Sequence, residues 1–168
     1  MIFLLIASLI LVASSTIENL NWSFCENKYH GKRTFFGSTK LREVDKSEIQ
    51  ILGVSSNKVK FKRGEELVFN IKAKLLKGRL QYPKITVKVY QEGTTTGDPF
   101  LKYTYNICTY LTLGCPINEG EEREITITKK IPTAIPKSML QEPFTIIIEM
   151  QDNGVPIECI LFQIKIDP

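Results

Sequence analysis

The sequence predicts an all-β domain made of two antiparallel sheets packed as a sandwich. After residue 15 the chain is rich in β-branched residues and has only two alanines, Ala73 and Ala134. Several segments alternate apolar and polar side chains with a period of two, and no window combines helical periodicity with good helix formers. Turns that contain glycine or asparagine separate these segments. A closed barrel around a ligand cavity has nearly the same signature and is the alternative fold.

The first 15 residues contain twelve apolar side chains and no charged one. An uncharged apolar run of this length at the start of a chain predicts a secretory signal peptide over residues 1–15. Residues 16–168 then form a single domain, since their number suits one hydrophobic core. We therefore expect a protein that is secreted or that lies in the endosomal or lysosomal lumen.

Strand signals occur along the whole of this domain. The clearest one covers residues 66–76, where every second residue from Leu67 to Leu75 is apolar. The segment 84–90 continues the alternation, and so does 124–129. Weaker signals lie at residues 22–25, 48–55, 58–62 and 100–107. In the segment 124–129, one face carries Ile125, Ile127 and Lys129.

Two strands at the C-terminal end are joined by a tight turn. The apolar-rich segments 144–151 and 155–166 flank Asp152-Asn153-Gly154. Asn-Gly is preferred in a type I′ turn, because both central residues take positive φ angles there. This pair predicts a β-hairpin at the end of the domain, and the total is then seven or more strands.

All four cysteines lie after the predicted signal peptide, at Cys25, Cys108, Cys115 and Cys159. An even number of cysteines in an oxidising compartment indicates disulfide bonds. Three connectivities are open. The six-residue gap between Cys108 and Cys115 favours a local loop, which would leave Cys25 to pair with Cys159, but spacing alone establishes neither bond.

The residue inventory argues against catalysis. The chain has one histidine, His30, which lies in a polar stretch. The chain also lacks the motifs G-x-S-x-G and H-E-x-x-H and a glycine-rich phosphate loop. We therefore predict a protein that is not an enzyme and that uses no cofactor. A metal site is not expected, because no C-x-x-C pair accompanies the histidine. The net charge of +4 is a weak footprint for a nucleic-acid partner.

A row of lysines in the weak strand 58–62 allows two interpretations. Lys58, Lys60 and Lys62 alternate with Val59 and Phe61. Lysines along an edge strand prevent sheet-to-sheet aggregation, which is the favoured interpretation. The alternative is that the row attracts anionic lipid headgroups.

One glycosylation sequon is present after the predicted signal peptide, at Asn21-Trp22-Ser23. Secretion would expose this sequon to the glycosylation machinery, so we predict a glycan on Asn21.

The C-terminal half carries a specific order of motifs. In chain order they are Ile107-Cys108, Gly114-Cys115-Pro116, the acidic turn Glu119-Gly120-Glu121, Pro132, Ile135-Pro136, the D-N-G turn and Glu158-Cys159. Over about residues 100–166 the chain resembles the ML family of secreted lipid-recognition proteins. The resemblance is best to the Niemann-Pick type C sterol carriers and to the phosphatidylglycerol/phosphatidylinositol transfer proteins.

The resemblance implies an immunoglobulin-like sandwich with a lipid between its sheets, and bonds that pair Cys25 with Cys159 and Cys108 with Cys115. One feature departs from the family. Sterol carriers usually have a further short-range bond soon after the first cysteine, and no cysteine lies between Cys25 and Cys108 here. The segment 26–46 is therefore expected to be arranged differently.

We expect the inward faces of the clearest strands to line the lipid cavity. The expected wall residues are Phe69, Ile71, Val87, Val89, Tyr103, Tyr105, Phe144, Ile146, Ile148, Phe162 and Ile164. A solid core is the alternative for each of them, since the same alternation builds one. The apolar loops 110–113 and 137–140 are candidates for the cavity mouth.

The expected function is to bind a sterol or phospholipid and to transfer it between membranes, with transient membrane contact and as a monomer. The alternative is an accessory recognition protein, which would present a lipid to a membrane receptor or to a hydrolase.

Overall fold

The computed structural model describes residues 18–25, 49–91 and 97–167. This part of the chain contains twelve β-strands and two short 3₁₀ helices. The strands are β1 (Glu18–Asn19), β2 (Trp22–Phe24), β3 (Ile49–Ser56), β4 (Lys60–Lys62), β5 (Glu66–Leu75), β6 (Arg79–Leu80), β7 (Pro83–Gln91), β8 (Leu101–Asn106), β9 (Ile117–Asn118), β10 (Glu122–Lys130), β11 (Phe144–Asp152) and β12 (Val155–Asp167). The helices are Ile107–Thr109 and Lys137–Leu140.

Three features of the sequence analysis lie outside the described residues, namely the predicted signal peptide, His30 and the segment 26–46. Among the residues that are described, none belongs to a helix long and apolar enough to cross a membrane.

Two antiparallel sheets form the body of the fold. Sheet 1 has the strand order β1-β3-β5-β10, and sheet 2 has the order β2-β12-β11-β7-β8. The strand β4 extends one edge of sheet 2 by pairing in parallel with the end of β12. A separate two-stranded ribbon is formed by β6 and β9. This order makes β10 an edge strand of sheet 1 and β8 an edge strand of sheet 2.

The hydrophobic core lies between the two sheets and follows from the alternation of apolar residues. In sheet 1, Phe69 stands opposite Ile127 and Ile71 stands opposite Ile125. All four side chains are buried. From sheet 2, Phe162 approaches Phe69 with 6.1 Å between the ring centroids. The predicted all-β sandwich is confirmed.

The C-terminal hairpin is also confirmed. The strands β11 and β12 pair along their length, with Asp152 opposite Val155 next to the turn. Asn153 has φ of 48° and Gly154 has φ of 79°, the positive values that a type I′ turn requires. The hairpin forms the centre of sheet 2, because β11 also pairs with β7.

Both disulfide bonds join the cysteines that the resemblance implied. Cys25 is bonded to Cys159, with 5.4 Å between the Cα atoms and a sequence separation of 134. This bond fixes the end of β2 to β12, where Cys159 is buried beside Tyr90 and Ile147. The bond between Cys108 and Cys115 closes the short loop after β8.

The predicted lysine row is only partly correct. The strand β4 begins at Lys60, so Lys58 lies before it, and the Lys58 ammonium is paired with the Glu65 carboxylate at 2.7 Å. Lys60 and Lys62 are exposed on the strand, and Phe61 between them is buried opposite Ile166. Two lysines, and not three, therefore occupy this edge.

Candidate functional site

An apolar pocket lies between the two sheets, next to the edge strands β8 and β10. Its walls come from six strands and from the loop that follows β10. The lining residues are Leu67, Phe69, Val87, Val89, Phe100, Leu101, Tyr103, Tyr105, Lys129, Lys130, Ile131, Pro132, Ile135, Phe144, Ile146, Ile164 and Ile166. Residues at the start of β5 and at the end of β10 line the pocket, so it lies at one end of the sandwich.

Most of the predicted wall residues meet at this pocket. Those that line it are Phe69, Val87, Val89, Tyr103, Tyr105, Phe144, Ile146 and Ile164. The other three, Ile71, Ile148 and Phe162, are at most 1% exposed and pack in the closed part of the sandwich. For these three residues the alternative interpretation, a solid core, describes the structure.

Several lining residues were absent from the prediction, although the alternation already indicated some of them. Leu67 lies two residues before Phe69, and Ile166 lies two residues after Ile164, so each extends a predicted inward face by one step. Phe100 precedes β8 and packs against Phe144, with 6.2 Å between the ring centroids.

The loop after β10 supplies a part of the wall that no strand pattern indicates. Ile131, Pro132 and Ile135 line the pocket from this loop, and both isoleucines are buried. Backbone hydrogen bonds fix its start, because the Ile131 N–H donates to the Glu65 carbonyl and the Gly64 N–H donates to the Ile131 carbonyl. The loop is therefore anchored to the turn before β5.

Lys129 brings a positive charge into the apolar wall. It is in register with Leu67 and lies on the same inward-facing side of β10 as Ile125 and Ile127. Its ammonium nitrogen is 4.1 Å from the ring centroid of Tyr103 and 5.9 Å from that of Tyr105. A cation above an aromatic face is attracted by the ring quadrupole. This contact joins the edge strand of sheet 1 to the edge strand of sheet 2.

The tyrosines of β8 form an aromatic row beside this lysine. The rings of Tyr103 and Tyr105 are 6.4 Å apart, and those of Tyr105 and Tyr110 are 5.6 Å apart. Burial raises the pKa of Tyr105 above its ordinary value, and Tyr110 and Tyr103 add smaller contributions in the same direction. The Tyr105 phenol is therefore uncharged at neutral pH.

The pocket is narrow, with a volume of about 50 Å³. An engineered protein cavity of about 150 Å³ accepts one benzene molecule. An acyl chain or a sterol therefore fits only if the sheets move apart at this end.

The lining chemistry is suited to holding an apolar group. Apart from two lysines and two tyrosines, all lining residues are apolar, and the described residues contribute no carboxylate, imidazole, hydroxyl of serine or threonine, or thiol to it. Nor do the described ranges contain a group of three or more side chains placed to hold a metal ion.

Other predicted features lie away from the pocket. Asn21 is exposed just before β2. The loops 110–113 and 137–140 contribute no lining residue. Leu113 is 77% exposed, whereas Leu140 is buried in the core. The exposed lining residues are Phe100 and Lys130, and they mark the mouth of the pocket.

Fold and pocket together define a class, the immunoglobulin-like sandwiches that enclose an apolar site between their sheets. The sequence profile of the ML domain matches residues 39–166. The chain therefore belongs to the ML domain family. This membership supports a lipid-binding function, and the two disulfide bonds are typical of proteins that fold in an oxidising compartment.

Solved structures share the fold. A Niemann-Pick type C2 protein from Japanese carpenter ant matches with a TM-score of 0.55 and 15% identity, covering 74% of this chain and 96% of that one. The C-terminal domain of Wzt matches with a TM-score of 0.50 and 9% identity, over 71% of this chain and 70% of that one. No curated protein sequence matches the chain significantly.

Proposed function

We propose that this chain is a secreted lipid carrier, which holds the apolar part of a sterol or phospholipid in the pocket and transfers the lipid between membranes without altering it. The observation that carries the proposal is the apolar pocket beside β8 and β10 in a member of the ML family. A pocket between two edge strands suits a carrier, because a lipid can be inserted sideways without unfolding the hairpin of β11 and β12.

The energetics of such a pocket set a condition on the proposal. Moving a chain of 16 carbons out of water gains about 0.8 kcal/mol per methylene, or roughly 13 kcal/mol, in a protein or in a membrane. A carrier exchanges lipid with a membrane only if opening its pocket costs little. One contact that joins the edge strands β8 and β10 is a lysine above two tyrosine rings, which costs about 1 kcal/mol to separate.

Lipid identification is the first test. The protein should be purified from a secreting host, extracted with organic solvent, and the extract identified by mass spectrometry. We expect a near-stoichiometric lipid of one class. A purified protein that carries no lipid and takes up none from liposomes would contradict the proposal.

A matched pair of variants tests whether this pocket holds the lipid. Leu101 lines the pocket and is half-buried, whereas the next residue, Lys102, is exposed on the outer face of the same strand. We expect Leu101→Trp to fill the pocket and to reduce transfer between liposomes at least tenfold, and Lys102→Trp to leave it unchanged. Equal transfer by both variants would place the lipid elsewhere.

The proposal includes secretion and a glycan on Asn21. Both disulfide bonds and the exposure of Asn21 support it. Expression of the full chain in cultured eukaryotic cells should yield protein in the medium, and Asn21→Gln should increase its electrophoretic mobility. Retention inside the cell without a glycan would exclude this part of the proposal.

The second candidate function is an accessory protein that presents its lipid to a receptor or hydrolase. Its observation is that apolar side chains are exposed outside the pocket, with Tyr82 63% exposed and Leu113 77% exposed, where a partner could cover them. Transfer between protein-free liposomes supports the carrier, whereas transfer that occurs only with a protein partner supports the accessory role.

A further inference from the structure

Lys129 stands at a position where the alternation of the strand predicts an apolar residue. It follows Ile125 and Ile127 on the inner face of β10, and it lies opposite Leu67. Its side chain is half-buried in the pocket wall. Because a charge in apolar surroundings is costly unless it is compensated, a lysine here requires an explanation.

The surroundings of Lys129 differ from those of other lysines near the core. Lys58 is paired with Glu65 at 2.7 Å, and Lys88 is paired with Glu149 at 2.7 Å. Within the described residues, no carboxylate oxygen lies within 4.0 Å of the Lys129 ammonium. Its neighbours are the faces of Tyr103 and Tyr105. Aromatic faces attract the charge but accept no strong hydrogen bond, so the ammonium keeps donors for an anion.

We infer that Lys129 binds the acidic head group of an amphiphile whose tail fills the apolar pocket. A phosphate or carboxylate at the mouth would accept charge-assisted hydrogen bonds from the ammonium, and these are about twice as strong as neutral ones. The inference rests on the proposed function and narrows it, because it favours acidic lipids over sterols, whose head is a neutral hydroxyl.

The position of the charge fits this assignment. Lys129 is half-buried and precedes the exposed Lys130, whereas the lining residues Phe69, Phe144 and Ile146 are buried and apolar. An amphiphile inserted tail first would therefore leave its head beside Lys129. The tyrosine rings hold the ammonium there before the ligand arrives, which limits the side-chain entropy lost on binding.

Two probes that differ only in the acidic group test the inference, 1-palmitoylglycerol and its 3-phosphate. We expect the unmodified chain to bind the phosphate at least about tenfold more tightly, which corresponds to about 1.4 kcal/mol. Lys129→Met keeps an aliphatic stem of similar length and removes the charge, so this variant should bind the two probes within about twofold of each other.

Two variants serve as controls. Lys129→Arg retains the charge and should retain the preference. Lys102→Met removes a charge from the outer face of β8 and should leave the preference unchanged. A measurement without any variant provides a second test, because raising the salt concentration from about 0.05 M to about 0.5 M should weaken the preference of the unmodified chain through screening.

The outcomes separate this inference from the proposed function. If both probes bind and Lys129→Met still prefers the phosphate, the role of Lys129 is overturned and lipid binding is left intact. Displacement of the lipid phosphate by millimolar inorganic phosphate alone would also overturn it, since the site would then recognise a free anion. If the unmodified chain binds neither probe, the role of Lys129 is overturned, and the lipid identification described above then decides separately whether the proposed function fails as well.

Discussion

The two disulfide bonds should contribute unequally to stability, and their loop lengths give the magnitudes. The sequence separation is 134 for Cys25–Cys159 and 7 for Cys108–Cys115. In the chain-entropy model these loops correspond to about 5 kcal/mol and about 2.4 kcal/mol. We expect Cys25→Ala/Cys159→Ala and Cys108→Ala/Cys115→Ala to lower the free energy of unfolding by these amounts.

Burial, like loop length, makes the Cys25–Cys159 bond the larger contributor to stability. Cys159 is buried and Cys108 is only half-buried, so removing the first bond also leaves a void beside Tyr90 and Ile147. Alanine is used in place of serine, because a hydroxyl at Cys159 would be buried without a prepared partner.

Urea denaturation followed by fluorescence and circular dichroism measures both variants. The extrapolated free energies must be compared, and not the midpoints alone, because losing a cross-link expands the unfolded chain and steepens the transition. Equal losses, or a larger loss for the short loop, would refute the loop-entropy reasoning. Lipid retention should fall together with stability in the long-loop variant, and unchanged retention would count against a structural link between that bond and the pocket.

Three further predictions concern the core, the hairpin and pH. Ile148→Ala should lower the free energy of unfolding by about 2–5 kcal/mol in urea denaturation, because it opens a void in the closed part of the sandwich, and it should leave the bound lipid class unchanged. Gly154→Ala should lower the same quantity by about 1–2 kcal/mol, since its φ of 79° disfavours a side chain. The Lys58 ammonium, and then the Lys62 N–H, lower the pKa of Glu65. The resulting stabilisation is complete above the ordinary pKa of 4.5 and is lost as the pH falls through the lower folded value. As the pH falls through this range, the Glu65→Gln variant should therefore lose less stability than the unmodified chain, as measured by thermal unfolding at a series of pH values.

Alternation within a strand predicted the longer elements well. The segment predicted at 66–76 is β5 (Glu66–Leu75), and the Asn-Gly turn lies where expected. Both signals are local, since a few consecutive residues contain them. The two-residue strands β1, β6 and β9 are too short to show a period, and the parallel pairing of β4 with β12 joins residues more than a hundred positions apart.

The sequence predicted only some of the pocket residues, and there is a physical reason for this. Alternation identifies which side chains face inwards, but it does not show where along a strand the two sheets separate. Ile146 and Ile148 are adjacent inward positions of β11, yet one lines the pocket and the other is packed solid. The separation depends on tertiary contacts, such as the loop around Ile135, which has no periodic pattern. Lys129 was visible as a charge on an apolar face, although the pattern alone did not show its tyrosine neighbours.

A narrow pocket at the edge of the sandwich suits the proposed exchange of lipid with a membrane. If the sheets stood permanently apart, a released lipid would leave a large void, and the missing packing would oppose release. Under the proposed carrier function, a lipid would enter this narrow pocket by separating the sheets, and part of the gain from burying the lipid would be spent on that separation. This cost would bring the affinity of the protein closer to that of the membrane, so that transfer could proceed in both directions. The location of the pocket favours such movement, because β8 and β10 are edge strands with only one sheet neighbour each, whereas the long disulfide bond holds β2 to β12 at the opposite edge of sheet 2.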